Sequence, residues 1–119
     1  MWIYQAQKSS SMCNTRILCR QSETTVSQCI DCGMFFVWHQ NLLIQFASLD
    51  FSDFLNHIKT YSFFERAISF PDGETRLVIQ SPAEELCLVF EEEEWEQFKH
   101  ALEEALYLGT VYDLLKGKR

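Results

Sequence analysis

Two cysteines set two residues apart and closed by a glycine, Cys29-Ile30-Asp31-Cys32-Gly33, lead straight into Met34-Phe35-Phe36-Val37-Trp38, the most apolar strand-like run of the chain. The glycine lets the backbone turn through a left-handed conformation at little cost, and two thiolates at this spacing can converge on one metal ion. Any fold of this chain must therefore set a tight thiol turn at the mouth of an apolar strand. Zinc would need two further ligands for a closed tetrahedral site. Cys19 is the third candidate, because a hairpin folded about Gln21 to Glu23 would bring it towards the end that carries Cys29; Cys13 or His39 could supply the fourth ligand.

The order Cys13, Cys19, Cys29, Cys32 reads C-x5-C-x9-C-x2-C, unlike the paired C-x2-C arms of a zinc ribbon. Two other readings therefore stay open. Reduced cysteines are among the most buried residues, and these could simply fill the edge of a sheet. A thiol-redox pair, with Cys29 as nucleophile and Cys32 as resolving thiol, would need a stabilised thiolate. Asp31 between the thiols opposes that, as does a following β-run in place of a helix N-terminus. Cys87, flanked by Leu86 and Leu88, is expected in the core or on the second face of its strand.

Around the thiol turn the chain alternates short β-like runs with two helical stretches. Residues 15–20 and 24–29 read as one hairpin, and residues 34–38 and 42–47 as a second about His39-Gln40-Asn41. Both arms of the second hairpin are apolar on both faces, which predicts a sheet covered on each side or set in an interface. Ser48 or Asp50 is placed to cap a helix in which Phe51, Phe54, Leu55 and Ile58 share one face. Tyr61 to Phe70 continues that helix or forms an aromatic cover; Pro71-Asp72-Gly73 is a turn, and residues 75–80 and 86–90 are strands. From Glu91 a long helix carries Trp95, Phe98, Leu102, Ala105 and Leu106 on one stripe, with Gly109 expected to stop it. The acids at 91–94 suit the positive end of that helix better than they suit a binding patch. The expectation is an α+β fold, a mainly antiparallel sheet of about six strands with two helices packed on it. Residues 1–14 are expected to be a flexible tail and 15–119 a single domain.

Several functions are disfavoured. The net charge of −7, with only ten basic residues, argues against a nucleic-acid surface. The first residues lack the apolar core of a signal peptide, and no run approaches the ~20 apolar residues of a membrane span. An odd count of five cysteines fits reduced thiols in the cytoplasm. The four glycines form neither a phosphate-binding loop nor a nucleophile elbow, so no enzyme class gains support. His57 and His100 fall off their apolar faces and are expected at the surface. The ten phenylalanines and three tryptophans exceed a minimal core, and some could form a patch for a protein partner or a homodimer.

The Cys29-x-x-Cys32-Gly33 turn, an apolar strand, Asn41 in the next turn, and a helix marked by Phe51 and Phe54 resemble a family of short bacterial proteins without assigned function. Leu86-x-Leu88-x-Phe90, leading to Glu94-Trp95 and Phe98, is similar as well, so the likeness spans residues 29–58 and 86–106. It implies a bacterial single-domain protein in which the thiol turn recurs, and it implies no activity. The chain is thus expected to be a small non-enzymatic binding or accessory protein.

Overall fold

The computed structural model describes residues 14–117; Cys13 and the expected tail before it lie outside the described residues. Strands β1 (Thr15–Gln21), β2 (Thr24–Cys29), β3 (Phe35–His39) and β4 (Leu42–Phe46) pair in chain order as an antiparallel sheet. Helix α1 (Ser48–Ile58) and the short α2 (Phe63–Arg66) follow. A second antiparallel sheet runs β5 (Ile68–Ser69), β6 (Thr75–Gln80), β7 (Cys87–Phe90), and α3 (Glu92–Gly117) closes the described chain. The α+β, antiparallel expectation holds, but the strands divide into sheets of four and three where α1 and α2 interrupt them.

Alternation along the strands sets the core. Val26, Phe35, Val37 and Phe46 of the first sheet meet Leu77, Ile79, Leu88 and Phe90 of the second, with α1 contributing Phe51, Leu55 and Ile58. The stripe predicted for the last helix is buried completely at Trp95, Phe98, Leu102 and Ala105. Only part of the outer sheet face is covered: Phe36 is 5% exposed and Trp38 47%. In β1 the register slips between Ile17 and Cys19, so that consecutive residues Leu18 and Cys19 both enter the core.

Two local expectations fail for identifiable reasons. Neither Ser48 nor Asp50 caps α1: the N-cap is Ala47, without a side-chain bond, and Asp50 sits in the first turn, where its charge suits the helix dipole. Gly109 does not end the last helix. It is buried within α3, and a Cβ there would meet Phe35 Cζ at 3.0 Å and Gln28 Oε1 at 3.3 Å. Its use is close approach to β2 and β3, and that packing outweighs the roughly 1 kcal/mol that glycine costs a helix interior. The glycines that do adopt left-handed φ are Gly33, at 83°, and Gly73, at 86°.

Candidate functional site

The inner face of the first sheet runs between two polar ends. Register sets Thr24 opposite His39 at one end and Gln28 opposite Phe35 at the other, with Val26 and Val37 between them. Helix α3 spans both, meeting the first end through Glu94 and the second through Gly109.

At the Gln28 end the thiol turn is held by the backbone. The Cys29 N–H donates to Met34 O at 2.9 Å, Gly33 N–H to Cys29 O at 3.0 Å, and Ile30 N–H to Asn14 O at 2.7 Å. Within the turn, Cys32 N–H points at Cys29 Sγ, 3.4 Å away. Cys29 is buried and Cys32 exposed, so the turn offers one inner and one outer sulfur. Gln28 stands behind it, donating from Nε2 to Gly33 O at 3.4 Å, with its Oε1 buried and unpartnered among the described residues.

The other expected ligands lie elsewhere. The hairpin turns at Ser22 and Glu23, beside Cys19, so Cys29 is at its open end: Cys19 pairs with Val26, whereas Cys29 pairs with Thr15. Three strand residues, roughly 10 Å, separate the two positions. The Cys19 thiol instead donates to Glu104 Oε1 on α3 at 3.2 Å. Burial first, and then the Glu104 carboxylate, push its pKa up to about 12. It is therefore a neutral thiol at physiological pH. Because its folded value lies above the ordinary thiol value of about 8.5, this contribution to stability is complete below that value and is lost as pH rises towards 12. Cys19 is expected to resist iodoacetamide in the folded protein in mildly alkaline buffer, while exposed Cys87 on the outer face of β7 reacts. Peptide mapping after alkylation, with and without denaturant, checks this.

His39 sits at the opposite end of the sheet from Cys29, and both its nitrogens are engaged. Nδ1 lies 2.8 Å from Thr24 Oγ1, and Nε2 lies 3.1 Å from Glu94 Oε2. An ionised carboxylate can only accept, so Nε2 carries a proton towards Glu94, and in the neutral ring Nδ1 accepts the Thr24 hydroxyl hydrogen. Glu94 Oε2 also accepts from Gln40 Nε2 at 2.7 Å, while its Oε1 accepts the Glu91 N–H at 3.3 Å. That last bond is the return half of a capping box at the start of α3. A polar hollow of about 420 Å³ opens beside this node. With Thr24 only 1% exposed and His39 doubly bonded, the node ties the sheet to the helix and offers neither a nucleophile nor a free imidazole nitrogen.

Glu94 carries no sequence signal as a partner of His39, because their meeting depends on a helix fifty-five residues further along the chain, whereas Thr24 meets His39 through the register of β2 and β3. Among the described residues no group of three or more His, Cys, Asp or Glu could hold a metal ion, Cys13 being outside them. No helix among them is long and apolar enough to cross a membrane. No curated protein and no solved structure matches the chain. The model of a family of unknown function (DUF6686) matches residues 12–111, and the chain belongs to that family.

Proposed function

We propose that this member of the family is a non-enzymatic binding or accessory protein of a reducing compartment, whose thiol turn holds a structural zinc ion. The observation that carries the reading is the Cys32 N–H aimed at Cys29 Sγ inside a turn closed by Gly33 at positive φ. That turn readies one sulfur for ligation before any metal arrives. Cys13, the residue before Asn14 in the chain, is kept in the proposed ligand set, and the Asn14 carbonyl is bonded to Ile30 within the turn. Cys19 and His39 drop out of the set, since one is held by Glu104 and the other by Thr24 and Glu94. The fourth position is then filled by a group beyond these three thiols.

Native mass spectrometry of protein purified without added metal or chelator tests this. One zinc per chain is expected, lost in Cys29→Ser and kept in Cys19→Ser, and a chelator should lower the unfolding midpoint of the wild type. A metal-free chain with reduced thiols would overturn the reading. A mass lighter by two hydrogens and restored by reductant would move the turn to thiol-redox chemistry.

A further inference from the structure

The first sheet has two edges, and they are treated differently. At one edge, β1 is broken by its bulge, carries Arg16 and Arg20, and is packed against α3. These are the devices by which a sheet edge avoids pairing with another chain. At the other edge, β4 reads Leu-Leu-Ile-Gln-Phe, with no charge, no proline and an unbroken register to β3. An undefended edge of that composition invites another strand.

The pairing pattern identifies which backbone groups are on offer. Gln40 N–H donates to Glu23 O at 3.0 Å across β2 and β3, which makes Thr24 and His39 a non-hydrogen-bonded pair. His39 therefore turns its own N–H and C=O to Leu42, and by alternation Leu43 and Gln45 point theirs away from β3.

A groove lies along this side. Two neighbouring hollows, of about 490 and 450 Å³, share Gln45, Ser81 and Pro82 as walls. One hollow is apolar, between Leu42 to Ile44 on β4 and Pro82 and Leu86 opposite. The far wall is built in advance: Ser81 N–H donates to Leu86 O, Gln80 Nε2 to the carbonyls of Ala83, Glu84 and Leu86, and Ser81 Oγ to Ala83 O. The other hollow is lined by Phe46, Phe54 and His57 together with Asp50 and Asp53, two acids on one face of α1 with no ion-pair partner among the described residues.

We infer that β4 takes an extended segment of a basic partner protein as a fifth strand, with main-chain bonds to Leu43 and Gln45. An apolar side chain of that segment fills the hollow beside Leu86, and a lysine or arginine meets Asp50 and Asp53. Charge selects this occupant over a second copy, since two chains of net charge −7 would bring like-charged grooves together. The inference stands apart from the zinc reading, because no residue of the thiol turn lines the groove.

Titration of the full chain with a fluorescent peptide of alternating valine and lysine tests it. Saturable binding is expected, with none for the valine–glutamate peptide. Gln45→Pro removes an outward N–H without breaking a bond to β3, and edge strands tolerate proline. It should weaken binding by about tenfold, the scale of main-chain bonds lost. Asp50→Lys with Asp53→Lys should weaken it as much, whereas Glu103→Lys, an exposed charge on α3, should not. Circular dichroism confirms that each variant is folded. Equal binding by wild type and folded Gln45→Pro would overturn the inference. So would a wild-type dimer that Gln45→Pro dissociates, which would give the edge to a second copy. Binding that emerges only after residues 1–12 are removed would give the edge to the chain's own N-terminus, and would overturn the inference equally.

Discussion

Phe35→Ala should destabilise the fold by about 3–5 kcal/mol, the usual cost of emptying a buried phenylalanine site. Phe35 is 2% exposed, and its ring meets two helices at once. Its ring stacks on Phe51 of α1 with centroids 4.2 Å apart and planes 8° apart. Its Cζ is the atom that a Cβ on Gly109 of α3 would strike, and its backbone follows the thiol turn directly. Because the ring is clamped between two helices, it cannot move aside. The same clamp predicts that Gly109→Ala loses about 1–3 kcal/mol to overpacking, against which the better helix propensity returns only about 1 kcal/mol. The decisive measurement is a urea-unfolding cycle. If the ring is what Gly109 makes room for, Gly109→Ala should cost markedly less in a Phe35→Leu background. Strict additivity of the two variants would mean that α3 and β3 are not in the contact described.

What depends on local pattern is legible in the sequence. Both hairpins of the first sheet, the turn at Gly73, β6 and the buried stripe of α3 follow from alternation, turn residues and helical spacing, all of which act over a few residues. The sequence misleads where a residue answers to something distant. Gly109 resembles a helix stop because the reason for a glycine there, the Phe35 ring, is seventy-four residues away in the chain. Ala47 can serve as N-cap without a side-chain bond because tertiary burial of Phe51, Leu55 and Ile58 holds α1 in place. The candidate site divides in the same way. The Cys29–Cys32 turn is local and therefore readable, with its glycine at the required positive φ. The assignments of Cys19 and His39 as ligands depend instead on which end of a hairpin each residue occupies. Cys19 lies beside the turn at Ser22 and Glu23, and Cys29 lies at the open end, so folding the hairpin separates them. His39 stands out by its place beside a hairpin turn, at the end of β3, but its partner Glu94 comes from the glutamate run, whose charges alone account for a helix start without naming which acid turns inward.

That inward acid carries the second large effect. Glu94→Ala should destabilise by about 2–4 kcal/mol, combining the loss of a cap with the stranding of a buried donor. The His39 side chain is 9% exposed and that of Glu94 27%, so water reaches the carboxylate but scarcely the ring. Removing the carboxylate leaves His39 Nε2–H without its acceptor, frees Gln40 Nε2 and releases the Glu91 N–H at the first turn of α3. Glu94→Gln keeps one acceptor oxygen and should lose less. The role of the node is separated from simple helix capping by a background in which the buried polar pair is replaced together, Thr24→Val with His39→Leu. Replacing both partners by apolar groups of similar shape can be nearly neutral, whereas removing one is not. In that background Glu94→Ala should retain only the capping part of its cost, about 0.5–2 kcal/mol. An undiminished cost there would mean that His39 takes nothing from Glu94, and that the helix start is all the carboxylate supports.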